Sequence, residues 1–487
     1  MKLDALRPIV SLLPEVKAPK QAPSIMQKLQ WTTIALIIFF VMYHIFPIGV
    51  VQKVGGEFEF LQVITASRIG SLITTGIGPI ILASIFLQLF KGAKIIDIDL
   101  HDPEGKALFQ GTQKLLAILL CFFEAGIYIM TGSILTYGME GSGFNPLLGS
   151  FTFTQILVIT QIALGSIILM YLDEVVSKYG IGSGISLFIA AGVSLSVVLG
   201  TVQLIVGQGG VISMLTGSGA GASALSDALI VMLPVFFTAV VFLIVVYAEG
   251  IKVEIPLALG TARGFGARYP IKFMYVSNIP VILASALTLN IQIMARALAG
   301  KVFMLGNTNI VPLIGMVRTD GYLTDGFLYF VTPIRANLLT MRSLTAYFGY
   351  LGTPTPVTGL PEWFHLLTYT VSLVILCVIF GKFWIETTGM GSKDVAEQLQ
   401  QQGLQIPGYR RDPRVIEGVL DRYIPTITIL GSIFVGLLAA FADIAGALGT
   451  GTGILLTVGI LRKMYEDLEA QQMFDLHPGL KNIVGGD

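Results

Sequence analysis

Long apolar windows separated by short polar stretches fill almost the whole chain. They fall at residues 31–50, 72–90, 115–137, 153–172, 184–206, 229–248, 273–298, 364–386, 424–444 and 448–464. A helix rises ~1.5 Å per residue, so roughly twenty residues cross a hydrocarbon core about 30 Å thick. The pattern predicts ten membrane-spanning helices. One stretch departs from it: Phe58, Leu61, Ile64 and Ile69 form a rough helical stripe that starts after Gly55-Gly56, ends at Gly70 and is too short to cross. Gly76, Gly78 and Pro79 follow as a flexible joint. The expectation is a half-helix dipping in from outside and hinged to the second span. Non-helical backbone at membrane depth is tolerated only inside protein or beside a water-filled cavity, which would place it in the centre of a bundle. An external interfacial helix is the alternative.

The second span has an echo. Pro79-Ile80-Ile81-Leu82-Ala83-Ser84 returns in the seventh span as Pro280-Val281-Ile282-Leu283-Ala284-Ser285, and Gly182-Ser183-Gly184-Ile185 of the fifth span as Gly451-Thr452-Gly453-Ile454 of the tenth. Both pairs are five spans apart. Five crossings leave the chain on the opposite face, so a unit used twice is inverted the second time, with its functional site at the interface near the midplane. Generic helix-packing glycines could produce the same short matches.

Composition and charge set the frame. Of 487 residues 54% are hydrophobic and 12% charged, too few charges to cover a water-soluble globule of this size. Net charge is zero, so nothing global points to nucleic acid. Of the 30 Lys and Arg residues, 23 lie before the first span, in the even-to-odd loops or in the tail, which places both termini in the cytoplasm by the positive-inside rule. Residues 1–30 lack the apolar core of a removable signal peptide. Leu3, Leu6, Val10 and Leu13 beside Lys2 and Arg7 suit a short surface helix stopped by Pro14, or else a mobile tail. The segments then read as a first half at 31–206, an external hinge loop at 207–228, a second half at 229–466 and a tail at 467–487. The external loop at 299–362 is long enough to form an ordered cap, and the cytoplasmic 8/9 loop spans 387–422.

Chemistry is sparse. Cys121 and Cys377 sit in apolar runs, and His44, His101, His365 and His477 are scattered, so no metal site, disulfide framework or cofactor is expected. No phosphate-binding loop, His-Glu-x-x-His or nucleophile elbow is present, and an enzyme is not expected. Among intramembrane polar residues, Glu124 and Arg296 stand alone, and Glu386 and Asp443 lie near span ends. Asn278 and Asn290 are placed to bond across to span 2 or 3, or to make ordinary interhelical bonds. A pore lined by Ile77, Ile81, Ile185, Ile189 and Ile282 would stop ions by dewetting and could widen around objects of different shape.

Ile64-Thr65-Ala66-Ser67-Arg68-Ile69-Gly70, Gly76-Ile77-Gly78-Pro79, Tyr171-Leu172-Asp173-Glu174, Ser177-Lys178-Tyr179-Gly180-Ile181-Gly182-Ser183-Gly184, Tyr269-Pro270-Ile271-Lys272, Val276-Ser277-Asn278-Ile279-Pro280 and Phe383-Trp384-Ile385-Glu386-Thr387-Thr388-Gly389 together resemble the SecY family, in its archaeal branch, over nearly the whole chain. The resemblance implies an all-α polytopic membrane protein, ten transmembrane helices in two inverted five-helix halves around a central hourglass pore. It implies a plug half-helix at 57–68, with Phe58, Leu61, Ile64, Ser67 and Arg68, and a pore ring of Ile77, Ile81, Ile185, Ile189, Ile282 and Leu456. Alignment by the glycines pairs Ile454 rather than Leu456 with Ile185. A lateral gate between spans 2/3 and 7/8 would include Glu124, Asn278 and Asn290. The 6/7 and 8/9 loops, with Arg263, Arg268, Arg410 and Arg411, would dock the ribosome and its RNA. Implied partners are a SecE-type clamp subunit, a small beta-type subunit, signal sequences, nascent polypeptides and membrane lipid. Lys106 stands where relatives often carry arginine, and the 299–362 loop is unfamiliar. The function implied is a passive protein-conducting channel driven by a partner such as the translating ribosome; the alternative is a secondary transporter with inverted five-span repeats.

Overall fold

Ser24 opens the first long helix, α1 (Ile25–His44), by a capping box: its Oγ accepts the Gln27 N–H and the Gln27 side chain accepts the Ser24 N–H. Thr152 and Gln155 repeat the device at α4 (Phe153–Tyr179). The other long helices are α2 (Gly78–Gly92), α3 (Pro103–Met130), α5 (Gly184–Val206), α6 (Ala224–Gly250), α7 (Ile279–Ala297), α8 (Glu362–Thr388), α9 (Pro413–Ala445) and α10 (Gly451–Leu476). The computed structural model describes residues 7–19, 21, 23–51, 66–92, 95–96, 103–130, 134–137, 152–207, 210–216, 224–259, 266–276, 278–297, 304–305, 308–309, 311–317, 323–334, 336–337, 341, 343–401, 404–405 and 413–476. Among these, seven helices are long and apolar enough to cross a membrane, namely α1, α3, α4, α5, α6, α8 and α9, and α2 and α7 are shorter apolar helices.

The chain is mostly helical rather than all-α. β1 (Lys252–Leu259) and β2 (Gly266–Lys272) form an antiparallel hairpin in the 6/7 loop, with Lys252 opposite Lys272 and Ala258 opposite Gly266. β3 (Leu404–Gln405), from the 8/9 loop, adds to β1 through Ala258 opposite Gln405. The cause is local: Val253, Ile255, Leu257 and Leu259 alternate with other residues, the strand period of two. Ile255 and Ile271 are buried in a cluster with Val395, Leu399, Ile416 and Leu420, so the two loops share one apolar core.

Helix ends also differ from the apolar windows. α1 starts at its capping box and stops before Pro47 and Gly49, whose φ of 102° no helix accommodates. α3 begins at Pro103, so Lys106 and Lys114 lie on a helix and not in a loop. α2 begins only at Gly78, because the backbone from Ser71 to Gly78 runs through successive i to i−3 turns.

Residues 7–17 lie along α3 and α4. Arg7–Val10 is a single helical turn, with Leu3 and Leu6 outside the described residues. Val10 covers Gly111, where a Cβ would stand 2.1 Å from the valine Cγ1. The Lys114 ammonium donates to Pro14 O and to Glu174 Oε1, both at 2.6 Å, and lies 4.5 Å from the Tyr171 ring centre. Val16 N–H donates to Glu174 Oε2 at 3.1 Å, Lys178 to Val16 O, and Tyr179 OH to Lys17 O at 2.8 Å.

Part of the 299–362 loop forms a second ordered region. Asp325 accepts hydrogen bonds from the backbone of Gly326 (2.7 Å), Thr358 (2.9 Å) and Val357 and from the Thr358 hydroxyl (2.9 Å). Tyr329 OH donates to both Glu362 oxygens at 2.9 Å, and His365 lies between Glu362 and Thr332 O.

The helix contacts repeat with an offset of five. α1 touches α4 and α5 as α6 touches α9 and α10; α2–α3, α3–α4 and α4–α5 have counterparts in α7–α8, α8–α9 and α9–α10. The two sets meet along two seams. One brings α2 and α3 against α7, and α2 against α8; the other brings α5 against α6 and α10.

Candidate functional site at the junction of the two helix sets

The junction is built around irregular backbone. Ala66, at φ 47° and fully buried, packs against Gly192 of α5, with its Cα 3.7 Å from a Cβ placed on that glycine. Leu72 N–H donates to Ile45 O at 2.8 Å, tying the segment to the end of α1. Arg68 stands 5.6 Å and 5.4 Å from the ring centres of Tyr43 and Phe46, in cation–π range. Ser71, Thr74 and Thr75 are buried, and their hydroxyls are occupied: Ser71 donates to Arg68 O, Thr74 to Ser71 O, and Thr75 bonds Ser166 of α4. Gly165 makes the close approach possible, since a Cβ there would stand 2.0 Å from Leu72 O. Turn bonds and hydroxyls thus satisfy a backbone that would otherwise be costly to bury.

The six residues assigned to the ring all belong to one apolar cluster. Ile77 and Leu456 are fully buried, Ile81 and Ile189 nearly so, and Ile185 and Ile282 are half-buried at its edge. They come from α2 and the turn before it, α5, α7 and α10, two helices from each set. Ile454, the glycine-based alternative, lies in the same cluster.

Of the seam residues, Glu124 is buried on α3, and its Oε1 has no hydrogen-bond partner among the described residues. Asn278 does not reach α2 or α3: its Nδ2 donates to Leu455 O of α10 at 2.8 Å, because Gly459 leaves room for it, a Cβ there standing 2.1 Å from that nitrogen. Asn290 Nδ2 donates to Ala286 O on its own helix at 2.9 Å. Phe58, Leu61, Ile64, Arg263, Arg410 and Arg411 lie outside the described residues, and Arg268 is placed in β2 opposite Pro256.

Sequence reasoning missed two caps at this junction. Asp173 Oδ1 accepts the Ile185 N–H at 2.9 Å and the Ser183 hydroxyl at 3.3 Å, and Asp443 Oδ1 accepts the Gly451 N–H at 2.8 Å while Oδ2 accepts Tyr369 OH at 2.7 Å. The signal available was an aspartate shortly before each repeated glycine motif.

At the base of α10, Glu466 meets Lys272 at 2.7 Å and Arg462 at 3.2 Å. Burial pushes the Glu466 carboxyl up, but the bonds from Lys272 and Arg462 outweigh it and hold the group below its usual range.

The SecY family model matches residues 71–465. The chain is 43% identical over 480 residues to the protein translocase subunit SecY of Methanocaldococcus jannaschii, covering 98% of this chain and 99% of that one. A solved protein-conducting channel superposes with a TM-score of 0.75 at 42% identity, covering 97% of this chain and 98% of its own. Sec61 of a canine ribosome–channel complex from the endoplasmic reticulum gives 0.73 at 41%, with the same coverage. Helices that repeat in contact order about an apolar junction, and a match that runs from the turn before α2 through α10, make this chain a member of the SecY family.

Proposed function

We propose that this chain is the channel-forming subunit of a protein translocase: a passive conduit that passes unfolded secretory polypeptides across the membrane and releases transmembrane segments sideways into lipid. The observation that carries it is the meeting of Ile77, Ile81, Ile185, Ile189, Ile282 and Leu456 in one cluster at the junction of the helix sets. Aliphatic side chains make no directional bonds, so such a ring blocks ions by dewetting and yields to a chain of any sequence. The chain catalyses no reaction of its own; its relatives are translocase subunits, and drive comes from a partner.

In this reading ten helices cross the cell membrane as two inverted halves around an hourglass pore, with both termini in the cytoplasm. Residues 57–68 form the plug, and the seam of α2 and α3 with α7 and α8 is the lateral gate, with Glu124, Asn278 and Asn290 along it. The ribosome docks on the 6/7 and 8/9 loops through Arg263, Arg268, Arg410 and Arg411, a reading supported by the ribosome-bound relative. SecE-type and beta-type subunits complete the complex. A secondary transporter would need polar groups free to bind solute beside the helix break, whereas the hydroxyls of Ser71, Thr74 and Thr75 are engaged in bonds of their own.

Replacing Ile81 and Ile282 with glycine will make reconstituted channels leak ions at rest. A hydrophobic nascent chain will crosslink to a photoreactive probe at position 81. An unchanged conductance sinks the ring, and a probe that reaches only lipid and neighbouring helices sinks the conduit.

A further inference from the structure

The first turn of a helix leaves backbone N–H groups without intrahelical partners, and an acceptor supplied from elsewhere fixes both its position and its direction. At α5 the residue in the N-cap position does not do this: Ser183 makes no side-chain cap bond. Its hydroxyl is turned to Asp173, and Asp173, twelve residues before Ile185 on α4, accepts the Ile185 N–H. Gly184 allows the approach, a Cβ there standing 2.5 Å from the Asp173 Cα. At α10 the residue before the helix does cap it, Thr450 Oγ1 accepting the Gly453 N–H at 3.1 Å, and an aspartate from the preceding helix adds a second acceptor. Asp443, eight residues before Gly451 near the end of α9, accepts the Gly451 N–H, and a Cβ on Gly451 would stand 2.4 Å from Ala439 O. Both turns need left-handed backbone, with Gly182 at φ 70°, Gly449 at 74° and Thr450 at 61°.

We propose that Asp173 and Asp443 are paired positioning residues that set the depth and rotation of α5 and α10, and thereby hold Ile185, Ile189 and Leu456 in the seal. This rests on the ring reading above. Asp173 holds the backbone of a ring residue directly; Asp443 holds the helix little more than one turn before Leu456. Gly184 and Gly451 both belong to the repeated motifs, though at different positions in them, and each lets the preceding helix come close to the first turn of the next. Loss of either aspartate lets its helix slide or turn, and the seal fails with no change in the side chains that form it.

The test uses the full chain, purified with its copurifying subunits and reconstituted in lipid vesicles. Resting ion flux is measured for Asp173→Ala, Asp443→Ala, Asp173→Asn, Asp443→Asn and Ile185→Gly. Losing one cap is expected to raise the leaking fraction roughly five- to thirtyfold in each alanine variant. The asparagine variants keep an acceptor oxygen and stay near the wild type. Leak in Ile185→Gly without leak in the alanine variants overturns the positioning role and leaves the ring standing; no leak in Ile185→Gly overturns the ring reading itself. Asparagine variants that leak as much as alanine variants also overturn the proposal. Where an alanine variant does not assemble, amide exchange in the wild type decides. Ile185 and Gly451 amides protected like helix interiors support the proposal, and exchange as fast as in the exposed first turn of α1 overturns it.

Discussion

Replacing Lys114 with methionine will detach the N-terminal segment. The ammonium donates to Pro14 O and Glu174 at 2.6 Å, and the two side chains are only 8% and 24% exposed. Removing one partner of a fully buried pair costs about 3–5 kcal/mol, chiefly because the remaining charge is stranded. Glu174 keeps some water and the N–H of Val16, so the expected loss is about 2–3 kcal/mol. Methionine keeps the length of the side chain and removes only the ammonium, with its hydrogen bonds and its position 4.5 Å from the Tyr171 ring centre. Local detachment by that amount accelerates tryptic cleavage after Lys17 roughly 30- to 140-fold, since each 1.4 kcal/mol is about a factor of ten. Adding Glu174→Gln removes the stranded charge, so the double variant recovers at least about 1 kcal/mol relative to the single one. A Lys114→Met protein cleaved at the wild-type rate would refute the reasoning, as would a double variant no better than the single.

Other expectations follow from the same geometry. Burial pushes the Asp325 carboxyl up, yet hydrogen bonds from Thr358, Val357 and Gly326 outweigh it and hold the group below the usual carboxylate range. Its stabilisation is therefore complete above pH ~4 and lost as pH falls through the lower folded value. Wild type and Asp325→Asn should differ in pepsin sensitivity of the 299–362 loop at pH 5 and converge near pH 2; a constant difference would contradict this. Gly165→Val puts a side chain onto Leu72 O and should lower stability by at least about 1–3 kcal/mol in a thermal unfolding assay, with normal melting as the contrary result. Gly459→Ala should expel the Asn278 amide from its bond to Leu455 O, a loss of about 0.5–1.5 kcal/mol readable in the same assay; an unaltered melting curve would count against the contact.

The sequence carried the features that depend on periodicity and little of what depends on backbone. Every apolar window overlaps a helix, though those at 72–90 and 273–298 hold only shorter ones starting at Gly78 and Ile279, because long apolar runs leave few other ways to satisfy their main chain in lipid. The order of contacts followed from two short echoes. The hairpin was missed, since Pro256 and Pro270 interrupt strands whose alternation spans only a few residues. The strap over α3 and α4 was illegible for a different reason. Its bonds are to the carbonyls of Pro14, Val16 and Lys17, and carbonyls leave no trace in side-chain pattern. For Asn278 the pattern left open a bond to span 2 or 3 or an ordinary interhelical bond; it makes the second, to α10, a choice decided by the missing side chain of Gly459 rather than by anything near Asn278 in sequence.

The irregular segment before α2 joins these points physically. Ile77 lies in the last turn of the segment and Ile81 in the first turns of the helix, so the ring spans the junction between non-helical and helical backbone. On one side the backbone is tied by Gly165, Ser166 and Ile45 to α4 and α1; on the other, α2 packs against α3, α7 and α8. A glycine, Gly76, at φ 54°, lies just before the join. The second set starts its echo in the same register: α7 begins at Ile279 directly before Pro280, as α2 begins at Gly78 directly before Pro79, and the Ile282 N–H bonds Asn278 O as the Ile81 N–H bonds Ile77 O. The two halves are therefore alike both in contact order and in where the echoed helix begins, which is what a unit used twice requires.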